Sequence, residues 1–268
     1  MHLRHFLKTG LFLGALAALL SFWGCSSVSH TEPTPLRVAV AESLRPAMLE
    51  IAKAYNEKQP FVRVDVISGN ALSLTRQMLQ KVPADLTIID STALMDELVK
   101  NDIVVGKSRA VLLINALVCF AREDSPYKDF SAFADGKEKL AVGDLKETVL
   151  GQYTQQCFDN LKISNEVKNR LLQLKNSDAV VAAVLNAQAG AGIAYQSTAA
   201  VSRGIRVLGV FPMQSYGTIS YEAAVLRAAP HYGEAWDFLS YLRGESAAEI
   251  FRRNGLTTPI KSNSPFLQ

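Results

Sequence analysis

Leu36-Arg37-Val38-Ala39-Val40-Ala41-Glu42-Ser43-Leu44 is the stretch on which the fold turns. Its first six residues form a short apolar run, the pattern of a strand buried inside a sheet. Leu44, Met48, Ile51, Ala52 and Tyr55 then recur at three- and four-residue spacing, which predicts an amphipathic helix over 43–57. Ser43 therefore stands where a strand ends and a helix begins. The same step returns twice. A strand over 61–67 precedes a helix over 71–81, and a strand over 86–89 is followed by the cap-type residues Asp90, Ser91 and Thr92. The next helix carries Leu94, Met95, Leu98 and Val99 on one face. Strands alternating with helices imply an α/β architecture built on a largely parallel sheet.

The apolar run 110–121 is long for one strand and reads as a chain passing from one lobe to another. Beyond it the theme resumes, with a strand at 140–142, helices over 151–161, 165–173 and 178–188, and strands at 192–195 and 206–210. A second long apolar run, 220–227, is the expected return crossing, and helices over 231–243 and 245–253 follow. No internal sequence repeat is visible. The layout predicts a first lobe of residues 36–115 and 222–268, interrupted by a second lobe of residues 116–221. Two crossings make a hinge, and a hinge between α/β lobes makes a cleft that closes on a ligand.

The first 24 residues read as an export signal rather than as part of the fold. Arg4 and Lys8 precede the apolar run 11–20, which is well short of the roughly 20 residues a spanning helix needs. The run ends at Gly24-Cys25, the small-residue–cysteine step of a lipoprotein signal. Cys25 is accordingly the expected first mature residue and lipidation site. Residues 25–35 are polar, contain two prolines and read as a tether. The whole chain has 28 basic and 25 acidic residues, a formal charge of +3. Removing Arg4 and Lys8 leaves 26 basic against 25 acidic residues, so the mature body is nearly neutral and has no tract for nucleic acid.

Enzyme signatures are missing. His2 and His5 belong to the leader, His30 to the tether, and His231 precedes a helix. The sequence contains no HExxH motif, GxSxG elbow or phosphate loop. Cys119 and Cys157 lack CxxC spacing and read as buried thiols, with a disulfide between them as the alternative in an oxidising compartment. What recurs is a helix N-terminus at the end of a strand. Such ends present unpaired N–H groups and partial positive charge, so several aimed into one cleft make an anion site without Lys or Arg.

The ordered set Ala39-Val40-Ala41-Glu42-Ser43-Leu44, Pro83-Ala84-Asp85-Leu86 with Ile89-Asp90, Leu140-Ala141-Val142-Gly143-Asp144, Gly192-Ile193-Ala194-Tyr195 and Ala247-Ala248-Glu249-Ile250-Phe251 resembles the molybdate-binding proteins of ABC importers, the ModA-type solute-binding family. The resemblance runs in order from about residue 36 to 258. It implies a periplasmic-binding-protein fold of type II, with two α/β lobes, a two-strand hinge and a ligand cleft between them. It also implies a ligand set. The family's first-loop serine falls on Ser43, and its second-lobe tyrosine on Tyr195. Backbone donors at two second-lobe helix starts fall on Leu150 and Ala179. The second serine is replaced: aligning Arg76-Gln77 places Ala71 at its position, where the N–H remains but the hydroxyl is lost. Asn70 or Ser68 is the expected substitute donor.

A dianion that carries no proton near neutral pH, such as molybdate or tungstate, suits a cavity of hydrogen-bond donors alone. Phosphate often carries one and favours a cavity with an acceptor. Sulfate is distinguished only by size. The expected function is therefore capture of molybdate, with tungstate as a close relative, for an ABC permease in the inner membrane. The alternative keeps the fold and changes the cargo to another small anion because of Ala71. The expected protein is a periplasmic, membrane-anchored monomer with no catalytic residues and no cofactor. Molybdenum would be met through its oxygens at Ser43 and Tyr195, without direct metal ligation.

Overall fold

A computed structural model describes residues 32–134 and 136–259. The leader, Cys25 and most of the 25–35 tether lie outside the described residues. β1 (Thr34–Ala41) occupies the interior of the first sheet, paired in parallel with β2 (Val62–Gly69) on one side and β3 (Leu86–Ile89) on the other. That position explains the apolar run, which only the exposed Arg37 interrupts: Leu36, Val38 and Val40 are fully buried. The 3-10 turn Glu42–Leu44 and α1 (Arg45–Lys58) follow β1, with a proline in the helix's first turn where its missing N–H costs nothing. α2 (Ala71–Leu79) follows β2, and α3 (Thr92–Lys100) follows β3.

β4 (Ala110–Asn115) and β5 (Leu117–Arg122) divide the long run 110–121 between two sheets, so the first crossing falls at Ala116. The second lobe contains α4 (Phe130–Ala134), β6 (Leu140–Gly143), α5 (Val149–Leu161), α6 (Ser164–Val167), β7 (Leu171–Leu174), α7 (Ser177–Leu185), β8 (Ala191–Tyr195), α8 (Gln196–Val201) and β9 (Ile205–Val210). β10 (Ile219–Val225) returns to the first sheet, and α9 (Tyr232–Leu242) and α10 (Glu245–Arg253) complete that lobe.

The sheet orders are β2-β1-β3-β10-β4 and β7-β6-β8-β5-β9. In each, three parallel strands meet a fourth that runs antiparallel to its neighbours on both sides, β10 in the first and β5 in the second. The two lobes thus share one topology without sharing a sequence repeat. Each has its own core, built around Phe120, Phe133 and Phe158 in the second lobe and around Tyr221, Phe238 and Phe251 in the first.

One segment departs from its expected form. The apolar spacing over 165–173 predicts a single helix, but the chain there forms α6, a 3-10 turn at Lys168–Arg170 and then β7. Leu171, Leu172, Gln173 and Leu174 pair in register with β6, and the sheet's open edge overrides the local helical pattern. Cys119 and Cys157 are separate buried thiols rather than a disulfide. Burial pushes the pKa of both thiols upward, and Cys157 Sγ lies 3.2 Å from Ser215 Oγ.

Candidate oxyanion cleft

The carboxyl ends of all six parallel strands face one cavity. Ala41, Glu42 and Ser43 follow β1; Gly69, Asn70 and Ala71 close β2; Asp90 follows β3. From the other lobe come Thr148, Val149 and Leu150 after β6, Lys175 to Ser177 after β7, and Tyr195 at the end of β8. Open α/β sheets place ligands outside the carboxyl ends of their strands, and here two such sheets do so face to face. The cavity measures about 40 Å³, room for a compact ion at roughly 10–15 Å³ per water.

Capping side chains decide which N–H groups reach the cavity. Asn70 Oδ1 accepts from Leu72 N at 2.9 Å and Ser73 N at 3.3 Å, which leaves Ala71 N at the helix start outside the cap's reach. Thr148 Oγ1 accepts from Gly151 N at 2.9 Å and donates to the Asp144 carbonyl at 2.8 Å, placing Val149 and Leu150 at the cavity wall. This turn requires glycine at 151, because a Cβ there would stand 1.9 Å from the Asp144 carbonyl oxygen. Asp144 Oδ1 tightens the same turn by accepting from Lys146 and Glu147 N, bonds that hold its carboxyl below the usual carboxylate range. Asn176 Oδ1 accepts from Ala179 N at 2.8 Å.

The expected ligand residues Ser43, Ala71, Leu150 and Tyr195 line this one cavity, together with Asn70. Ala179 does not line it. Its N–H belongs to the Asn176 cap, the helix begins two residues earlier, and Asn176 and Ser177 take the place at the wall. The Asn70 side chain is partly engaged: Nδ2 donates one proton across the cleft to the Glu147 carbonyl at 2.8 Å, which leaves its second N–H.

Ser43 is held by residues the sequence did not single out. Asn115 Nδ2 donates to Tyr221 Oη at 3.1 Å, and Tyr221 Oη lies 2.9 Å from Ser43 Oγ. With Tyr221 accepting from Asn115 and donating to Ser43, the Ser43 proton is left for a ligand. Asn115 precedes the first crossing and also donates to Ser197 Oγ at 2.8 Å, so the chain of bonds begins at the hinge.

Other hydrogen bonds join the lobes directly. Asn176 Nδ2 donates to Glu42 Oε1 at 2.7 Å, and Tyr195 Oη donates to Asp90 Oδ2 at 2.7 Å. Tyr153 Oη donates to the Asp90 carbonyl at 3.3 Å. Ser91, rather than Asp90, caps α3 through a 3.4 Å bond to Leu94 N, which leaves the Asp90 carboxyl to Tyr195 at the cavity wall. Burial raises the Asp90 pKa, with the Tyr195 bond opposing the shift. The Tyr195 phenol is itself pushed up, first by burial and then by the neighbouring Asp90 charge.

Residues 36–257 match the family model described as bacterial extracellular solute-binding protein. The chain is 33% identical over 233 residues to the molybdate-binding protein ModA of Escherichia coli, covering 83% of this chain and 88% of that protein. It is 26% identical over 258 residues to a Bacillus subtilis protein provisionally named ABC transporter substrate-binding lipoprotein YvgL, covering 94% and 99%. The fold also matches the periplasmic molybdate-binding protein of Azotobacter vinelandii, at a TM-score of 0.73 and 17% identity over 84% of this chain and 99% of that one.

Proposed function

The chain belongs to the bacterial extracellular solute-binding protein family, and from that premise we propose that its cleft captures a tetrahedral oxyanion, molybdate or tungstate, for delivery to an ABC importer in the membrane. The observation that carries this reading is the convergence of six strand ends on one small cavity, with the first turns of α2, α5 and α7 around it. Each of these helices is long enough to present N–H groups and a partial positive charge at its start. Fixed neutral dipoles of this kind replace the water shell of a small anion, while a sugar or peptide exceeds the space. Ser43 adds a hydroxyl whose proton is directed by Tyr221.

The E. coli relative is a molybdate binder by name, which supports molybdate over other tetrahedral ions. Cys25 is the proposed attachment point of a lipid anchor, a reading supported by the lipoprotein name of the B. subtilis relative. A monomer tethered in this way meets its permease with the rims of the two lobes. A second reading keeps the cleft and changes the anion. Ala71 lacks a hydroxyl, and the Asn70 carboxamide is held by its cap and by Glu147 with one Nδ2 proton left, so the side-chain donors differ from those of a two-serine site.

Thermal melting with molybdate, tungstate, sulfate and phosphate at equal concentration tests both readings. A ligand at hundredfold excess over its dissociation constant stabilises by about 2.7 kcal/mol. The largest shift with molybdate or tungstate is expected. A larger shift with sulfate or phosphate favours the second reading, and no shift with any of the four refutes the oxyanion site.

A further inference from the structure

A carboxyl group belongs to a residue at the wall of the cleft. Asp90 follows the end of β3, is 5% exposed and is one of the residues that line the cavity. Oδ2 accepts the Tyr195 hydroxyl, but Oδ1 is buried and has no hydrogen-bond partner among the described residues. A buried polar atom without a partner is costly, and a binding cleft is a place where a ligand can satisfy it.

The difficulty lies in the count of protons. Tyr195 has one hydroxyl proton, and that proton is given to Asp90 Oδ2. While Asp90 is ionised, Tyr195 has nothing to donate to an anion, and the carboxylate sets a second negative charge beside the cavity. The neighbouring groups do not relieve this. Tyr153 from α5, Tyr195 from β8 and Tyr221 from β10 lie near the carboxyl, and burial first, then the charge of Asp90, raises the pKa of all three. Glu42 and Lys175 line the same cavity, their opposite charges offsetting each other. Further along β10, Glu222 is engaged by Arg109 at 2.5 Å and Thr92 at 2.7 Å.

We infer that the cleft takes up its oxyanion together with one proton, held between Asp90 and an oxygen of the ion. The inference rests on the reading of this cleft as an oxyanion site. For an ion that carries no proton, such as molybdate, the proton comes from solvent and lands on Asp90. On Oδ1 it is donated to the ion directly. On Oδ2 it is donated to Tyr195 Oη, which frees the tyrosine's own proton for the ion. Both arrangements remove a negative neighbour and add a donor. Burial already moves Asp90 toward holding a proton, and an arriving dianion moves it further in the same direction. Hydrogen phosphate brings the proton with it.

Calorimetric titration of the protein with sodium molybdate, in two buffers of different ionisation heat, measures the proton directly. Uptake approaching one proton per molybdate is expected at mildly alkaline pH, with affinity falling by up to about tenfold per pH unit there. Hydrogen phosphate, where it binds, takes up little or none. In Asp90→Asn the amide is a donor at every pH, so molybdate binding becomes independent of pH and about tenfold or more tighter than wild type at the alkaline end. Where that variant fails to fold, the wild-type buffer comparison decides alone. Binding of molybdate with no proton uptake and a flat pH profile overturns this inference and leaves the function standing. Failure of molybdate, tungstate, sulfate and phosphate alike to bind overturns the oxyanion reading and the inference with it.

Discussion

Replacing Ala71 by serine should strengthen molybdate binding. Ala71 opens α2, is 4% exposed and lines the cavity, so a hydroxyl added at its Cβ enters a space already enclosed. Ser68 does not line the cavity, and Asn70 keeps only the Nδ2 proton not given to Glu147, so a hydroxyl at position 71 adds a donor beside the backbone N–H. A hydrogen bond to a charged acceptor contributes about 1.5–3 kcal/mol. Part of that is offset because the new hydroxyl must be ordered within a cavity of about 40 Å³. A gain of about ten- to thirtyfold in affinity is the expected result, corresponding to roughly 1.4–2 kcal/mol. Isothermal titration of wild type and Ala71→Ser with molybdate measures it. Ala71→Val serves as the control that adds bulk without a donor, and it should weaken binding. An unchanged or lower affinity in Ala71→Ser, with its melting temperature preserved, would refute the claim that a donor is missing at this position.

Tyr221→Phe removes the hydroxyl between Asn115 and Ser43, and titration should show molybdate affinity lowered about three- to tenfold, at roughly 0.5–1.5 kcal/mol for a neutral hydrogen bond. Gly151→Ala forces a Cβ toward the Asp144 carbonyl, so urea denaturation should show a loss of about 1–3 kcal/mol and titration a loss of anion binding, because the start of α5 must shift. Burial raises the pKa of Asp90 in the folded protein. Its contribution to stability is therefore complete below the unfolded carboxylate value near 3.9 and is lost as pH rises through the folded value. Melting of the ligand-free protein should accordingly show wild type losing ground to Asp90→Asn as pH rises from about 4 towards neutrality, with no such divergence if Asp90 ionises normally.

The parts of this fold that were legible in the sequence were those where local pattern and tertiary position agree. β1 reads as a buried strand because it has a partner on each side, and Leu86–Ile89 is buried throughout. β7 was not legible, because an edge strand of partly exposed leucines carries the same spacing as a short helix. Of the ligand positions that the ordered resemblance implies, Ser43, Ala71, Leu150 and Tyr195 line one cavity and Ala179 does not. Asn176, Ser177 and Asp178 all have capping chemistry, and only the fold selects Asn176. The same ambiguity hid Asp90: in Asp90-Ser91-Thr92 the capping role goes to Ser91, and nothing local says so. Tyr221 and Asn115 were out of reach altogether, since their bond joins residues 106 apart along the chain.

Anomalous scattering from a crystal of the protein grown with tungstate tests the central claim most directly, because the heavy atom marks its own position. The account places a single strong peak between the lobes, enclosed by Ser43, Ala71, Leu150 and Tyr195, with oxygens directed at the first N–H groups of α2 and α5. A cleft that stays without a peak while the protein binds tungstate elsewhere, or a peak outside that enclosure, would contradict it.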